Sequence, residues 1–307
     1  MRNRYLDLLR AIAIVRVVVY HSTGWAFLTV AVPAMSVMFA MAGSLMAASI
    51  DRSGPLAVER RLRRLLPSLW AMAAIAVPAM LLTGLEWDWK VLLWGFPILD
   101  PPANQWGAMV LNATWYLRDF LWFVLLSPLV LPIFRRFPVI SVVVPFAVLA
   151  VLVLGGFTVH PVVRDLALYG GAWLLGFAHH DGMLRRMNRR LLLGLAGALA
   201  IAGGAWILTH PGPRGYDLND IPLGNALWSA AFILVALGFA PVATRARPNR
   251  LVTVLNARAL TIYLWHVPIV VGVTLFGEAH GMPTRGWDGI GWRLVVIAAL
   301  VWVAVLL

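Results

Sequence analysis

The sequence predicts an all-α polytopic integral membrane protein of about ten transmembrane helices with both termini cytoplasmic, and three observations predict it. First, 61% of the 307 residues are hydrophobic and only 12% charged, with a mean hydropathy of +0.83; soluble domains carry roughly a quarter charged residues. Second, apolar segments long enough to cross a bilayer core, about 20 residues each, recur from end to end. They fall at about 5–27, 30–50, 65–84, 114–134, 138–157, 162–178, 190–209, 223–243, 256–276 and 290–307. Third, the loop charges alternate. The N-terminus and every second loop carry Arg2 and Arg4; Arg52, Arg60, Arg61, Arg63 and Arg64; Arg135 and Arg136; Arg185, Arg186, Arg189 and Arg190; and Arg245, Arg247 and Arg250, whereas the opposite loops hold Lys90, Arg164, Arg214 and Arg285. Positive charge gathers on the cytoplasmic side, and one missed or invented helix would scramble the alternation.

Connections are short, so residues 1–307 are expected to form a single transmembrane domain with no soluble domain. The last span is still apolar at Leu307, which leaves room for the chain to continue. The first apolar run is longer than a signal h-region and lacks a small-x-small cleavage pattern, so no cleavable signal peptide is expected. With no cysteine in the chain, thiolate nucleophiles, disulfides and cysteine metal sites are excluded.

The first span, "LLRAIAIVRVVVYHS", is apolar except for Arg10, Arg16 and His21. At 100° per residue, Arg10 and His21 fall within about 20° of one another and roughly 16 Å apart along the axis. Asp7, Ile14 and Val17 share their stripe, and Arg16 points away from it. Ionisable groups inside a span are costly and face a cavity or a partner, so the stripe reads as one wall of a polar tunnel. The competing reading makes Asp7 and Arg10 an interfacial pair and His21 a neutral packing residue. Arg16 has Asp119 or a carbonyl as its candidate partner.

Between spans 2 and 3, "ERRLRRLLPSLW" packs arginines at the mouth of span 3, with Pro67 expected in its first turn. Such guanidinium clusters bind phosphates through paired, charge-assisted hydrogen bonds; topology determination and anionic lipid contact also explain them. On the outer side, acidic residues and tryptophans gather at Glu86, Trp87, Asp88, Trp89 and Trp94, at Asp217 and Asp220, and at Glu278, Trp287 and Asp288. An interfacial belt accounts for most of these tryptophans. Span 4 carries Arg118 and Asp119, read as a salt bridge to another helix. Span 9 carries His266 with Pro268 just after it, a kink that frees a carbonyl beside a cavity.

These blocks together resemble acyltransferase family 3, the integral membrane acyltransferases. "LRAIAIVRVVVYHS" is similar to the family signature, an arginine, ten residues and a histidine, which fall here on Arg10 and His21. "MFAMAGSLMAAS", "RRLRRLLPSLW", "WYLRDFLWFVLLSPLV" and "LTIYLWHVPI" resemble its later blocks, in order, over nearly the whole chain. Ala42 stands where the family often has Ser, Arg16 is an extra charge, and the longer Trp-Ser-Leu-x-x-Glu-Glu form of the fourth-helix block is absent.

The resemblance implies transfer of an acyl group, most often acetyl, from cytoplasmic acyl-CoA to a hydroxyl of an extracytoplasmic glycan or lipid-linked acceptor, in the bacterial cytoplasmic membrane. His21 and Arg10 are the implied catalytic residues. Arg61, Arg63 and Arg64 at the cytoplasmic rim suit the coenzyme phosphates, and His266, Tyr263, Trp115 and Asp119 are candidates for acceptor binding or support. His21 serves as general base or as acyl carrier. No bound cofactor, metal or nucleic acid is expected, the co-substrate being acyl-CoA itself; oligomeric state is not readable. The alternative class is a secondary transporter or flippase using the buried Arg and His residues, against which no inverted repeat is visible and deep carboxylates are scarce. The membrane-bound O-acyltransferases also use an intramembrane histidine but lack the first-helix block, and a structural scaffold leaves the Arg10 and His21 stripe unexplained.

Overall fold

The computed structural model describes residues 4–241, 249–284 and 286–306; Arg2, Arg245, Arg247 and Arg285 of the loop-charge pattern lie outside the described residues. Among the described residues there are helices and no strand. They are α1 (Arg4–Thr23), α2 (Phe27–Ala31), α3 (Ala34–Ser53), α4 (Leu56–Leu82), α5 (Gln105–Val110), α6 (Thr114–Arg136), α7 (Pro138–Leu154), α8 (Pro161–His180), α9 (Met183–Arg186), α10 (Arg189–Thr209), α11 (Pro222–Gly238), α12 (Arg250–Ala257), α13 (Ala259–Ala279) and α14 (Gly286–Leu306). Among the described residues six helical stretches are long and apolar enough to cross a membrane: Phe27–Ser53, Leu56–Leu82, Thr114–Arg136, Arg189–Thr209, Ala259–Ala279 and Gly286–Val303. α7 and α11 are apolar but shorter, while α1 carries Arg10 and Arg16, and α8 carries Arg164 and Asp165.

Local chemistry sets the ends. Proline stands at the start of α7, α8 and α11, where its missing N–H costs nothing and its φ is preset for helix. α1 stops at Thr23 because Gly24 takes a positive φ of 70° and returns its N–H to the Tyr20 carbonyl, a left-handed cap that suits glycine. The first span therefore ends four residues before the expected boundary, which puts His21 in the last turn of α1. The second span is broken at Val32–Pro33 into α2 and α3. The third begins nine residues early, at Leu56, so Arg60, Arg61, Arg63 and Arg64 ride on α4 itself and Pro67 is interior to it. Only Gly54 and Pro55 separate α3 from α4, too short a stretch to hold an arginine-rich loop.

The chain forms two compact units. One comprises residues 1–13, 25–59 and 122–247. Its α3 and α8 are in backbone contact: a Cβ on Gly43 would collide with the Trp173 carbonyl, and one on Gly176 with the Ala40 carbonyl. Small residues let membrane helices approach so closely. Beside this seam Phe39, Phe123, Tyr169 and Trp173 stack with centroids 4.9–6.5 Å apart, and the Trp173 indole donates to Ser127 Oγ at 3.1 Å. Arg135 bonds both Asp51 and Asp181, while His180 also reaches Asp51. Those two carboxylates and His180 bring donor atoms within 4.8 Å of one another, and the cation they share is the Arg135 guanidinium. In the loop before α11, paired hydrogen bonds from Arg214 hold the Asp220 carboxyl below the usual carboxylate range.

The other unit comprises residues 14–24, 60–121 and 248–307. Its long connection from α4 to α6 is tied down by tryptophans. The indoles of Trp70, Trp94 and Trp106 donate to Gly95 O, Pro102 O and Thr83 Oγ1. Trp94 is buried, so it belongs to the fold and not to the interfacial belt, whereas Trp87 and Trp89 are exposed. α1, α13 and α14 meet in an apolar layer where Ile14 packs on Ile262 with Val18, Ala259 and Val301.

Candidate functional site

Beyond the Ile14 and Ile262 layer, about two turns along α1 and one along α13, the His21 ring lies edge-on to the His266 ring, centroids 4.9 Å apart. Ile14 and Val17, on the His21 stripe, are buried, so that face of α1 is turned into the protein. His21 itself is exposed and His266 has no exposed surface at all. The pair has one ring open to an incoming molecule and one sealed behind it.

The end of α1 is held from several directions. Ser22 and Thr23 hydroxyls donate back to the Val18 and Val19 carbonyls. From α14, Arg293 donates through Nη2 to the Ser22 carbonyl at 3.1 Å and through Nη1 to the Thr284 carbonyl at 2.8 Å. A cation capping the last carbonyls of a helix is favoured by its dipole. Arg293 went unremarked in the sequence, although an arginine three residues into the span expected at 290–307 obeys the same rule that singled out Arg10.

From the histidine pair a run of rings continues in both directions. On the α1 side, Tyr20 lies 5.2 Å from His21, and Arg16 stacks over the Tyr20 ring at 5.0 Å. This is a cation–π contact, made by a guanidinium that is buried. On the α13 side, Tyr263 lies 5.5 Å from His266 and 4.8 Å from Tyr116 of α6, which meets Trp115 at 6.2 Å. His21, His266, Tyr263 and Trp115 are thus brought together. Tyr116 joins them without having been singled out, because only the tertiary packing places it against Tyr263.

Asp119 is placed otherwise. It is fully buried and accepts from Arg118 of its own helix, Nε at 2.9 Å, while Arg118 Nη1 also reaches Asp100 at 2.5 Å in the preceding loop. The Arg118 guanidinium thus bridges a loop residue and the adjacent position. Removing one member of a buried pair strands the other's charge, at a cost of about 3–5 kcal/mol. Arg118→Met is expected to lower stability by roughly 3 kcal/mol, measured by thermal unfolding in detergent; an unchanged midpoint would show the pair to be dispensable.

Arg10 sits half-buried on the same continuous helix as His21. Arg61 is half-buried and Arg63 and Arg64 are exposed, in the first turns of α4. Past His266, α13 and α14 line an open, apolar cavity of about 400 Å³, with Ile269, Val273, Phe276, Trp292, Val296 and Leu300 among its walls.

No curated protein and no solved structure matches the chain. A family model described as an acyltransferase domain matches residues 3–307. Essentially the whole chain is covered, and it belongs to acyltransferase family 3, a family of membrane acyltransferases.

Proposed function

We propose that residues 1–307 act as one transmembrane acyltransferase domain of the bacterial cytoplasmic membrane, with ten spans and both termini cytoplasmic. The protein moves an acyl group, acetyl foremost, from cytoplasmic acyl-CoA to a hydroxyl of an extracytoplasmic glycan or lipid-linked acceptor. A helix lies at each of the ten expected spans. The order of contacts agrees with their alternation: Ile14 meets Ile262 and His21 meets His266, so α1 and α13 run the same way, while Arg293, early in α14, meets Ser22, late in α1. Spans 1, 9 and 10 require that arrangement.

The observation that carries the reading is the exposed His21 ring packed on a sealed His266 at the fixed end of α1. A thioester is already activated, so the chemistry needs a base and a positioned hydroxyl more than an electrophilic metal. Histidine is the side chain best suited to proton exchange near neutrality, and His21 takes the acceptor's proton as its oxygen attacks the thioester carbon. The thiolate leaves with the C–S electron pair and takes that proton back. The apolar cavity past His266 suits the hydrocarbon part of a lipid-linked acceptor.

Coenzyme A carries its phosphates far from its thioester, and Arg61, Arg63 and Arg64 are the donor-binding candidates, with Arg10 between them and His21 in role. Each charge-assisted hydrogen bond is worth about 1.5–3 kcal/mol. Changing the three arginines to glutamine together is expected to raise the KM for acetyl-CoA at least about tenfold with kcat little altered. Thiol release from acetyl-CoA by the protein in nanodiscs, supplied with a bacterial glycolipid extract, reads both quantities. Wild-type protein that is folded and releases no thiol would overturn the donor assignment and turn attention to transport. An unchanged KM in the triple variant would move the phosphate site elsewhere.

A further inference from the structure

His266 has features that packing alone does not require. It is wholly buried, yet its Nδ1 lies 2.6 Å from the Tyr263 carbonyl oxygen. A carbonyl only accepts, so Nδ1 carries the proton, and the neutral ring keeps its lone pair on Nε2. Among the described residues that buried Nε2 has no hydrogen-bond partner. Leaving a buried acceptor unmade costs about 1–3 kcal/mol, so a site that maintains one gains where a donor arrives later.

The groups packed around it narrow what that donor can be. α1 contributes the His21 ring at 4.9 Å, α13 its own Tyr263 ring at 5.5 Å, and α6 contributes Tyr116 beyond Tyr263. Beside His21, Arg293 of α14 directs both terminal nitrogens at backbone carbonyls, those of Ser22 and Thr284. His21 is the neighbour whose hydrogen-bonding capacity changes during acyl transfer. Neutral, it has one ring N–H; after taking a proton it has two.

We propose, resting on the acyltransferase reading, that His266 is the positioning residue for His21. Tied through Nδ1–H to the Tyr263 carbonyl, it offers Nε2 to a ring N–H of His21. This fixes which His21 nitrogen meets the acceptor hydroxyl and shares the charge when that nitrogen is protonated. The acceptor oxygen bonds the thioester carbon, its proton passes to His21, and the C–S bond breaks with its electron pair on sulfur. His21 then returns the proton to the thiolate, and His266 neither gains nor loses one. The arrangement orients a base through its far nitrogen, as the third member of a catalytic triad does, with a backbone-anchored imidazole in place of a carboxylate.

The test compares His266→Leu with His266→Gln, using acetyl-CoA and the glycolipid extract in nanodiscs. Glutamine can donate its amide N–H to Tyr263 and present an oxygen to His21, whereas leucine offers neither. A positioning role predicts kcat about 10²-fold lower in the leucine variant, an unchanged KM for acetyl-CoA, and activity within about tenfold of wild type in the glutamine variant. Wild-type rates in both variants would make His266 a packing residue. Glutamine as inactive as leucine in monodisperse protein would mean that His266 transfers the proton itself. Either result overturns the proposal.

A second readout does not need a variant at position 266 to fold with activity. Nitrogen-15 histidine spectra of the wild-type protein are expected to show His266 as the Nδ1–H tautomer, with a resonance that moves in His21→Ala; the Nε2–H tautomer would overturn the proposal. Wild-type protein that turns over no acetyl-CoA would sink the acyltransferase reading alone, because the spectra still decide the pairing of the two rings.

Discussion

His21→Ala is expected to lower kcat for acyl transfer by at least about 10³-fold, with the KM for acetyl-CoA changed no more than a few-fold. General-base catalysis contributes about 10²–10⁴-fold, and a histidine that also carried the acyl group would cost more when lost. His21 is exposed in the last turn of α1, so its side chain supports little of the packing around it. Ile14, Val17 and Ser22 bury the helix, and Arg293 holds its end. Alanine should therefore leave the fold intact, and unchanged thermal unfolding is the control. Steady-state thiol release checks the prediction, and a variant retaining more than a tenth of wild-type kcat would remove His21 from the chemistry.

The second large effect concerns assembly. Gly176→Val is expected to destabilise the protein by roughly 4 kcal/mol or more, the extreme end of what point substitutions do. Even the first carbon of the new side chain would strike the Ala40 carbonyl and the Ser44 amide nitrogen of α3. These are backbone atoms, so α3 and α8 must part, and the Ser44 to His179 hydrogen bond across the same seam, 2.9 Å, is strained with them. Gly194→Ala in α10 is the matched control. Nothing lies within 4 Å of its added carbon, and alanine favours helix over glycine by about 1 kcal/mol. Thermal unfolding followed by size-exclusion chromatography should show the Gly176 variant aggregated and the Gly194 variant at or above the wild-type midpoint. Equal midpoints would mean the two helices do not depend on this contact.

Part of the architecture was legible because a bilayer imposes one length and one polarity on a crossing, and among the described residues six helical stretches of that length and apolarity lie where such runs were read. Their ends were less so. Gly24 after Ser22 and Thr23 is a helix stop that the hydropathy of the following Trp25, Ala26 and Phe27 conceals, and Pro67 looks like a start although α4 tolerates it in its interior. Residue type alone singled out Arg10, His21 and His266, since ionisable groups in apolar runs need a reason. Their company was not legible. The meeting of His21 with His266, of Tyr116 with Tyr263, and of Arg293 with Ser22 joins residues far apart in sequence, and no periodicity links them. Arg118 shows the same boundary: its partner Asp100 sits in a loop whose path only the fold determines.

The most direct test of the central claim is transfer across the bilayer in sealed proteoliposomes with the Arg61, Arg63 and Arg64 end of α4 outward. Radiolabelled acetyl-CoA is supplied outside and a bacterial glycolipid extract is enclosed within. The account predicts that label appears on the enclosed glycolipid in step with thiol release outside, and that both cease in His21→Ala. Label that stays with coenzyme A, in vesicles whose protein is folded and correctly oriented, would contradict it.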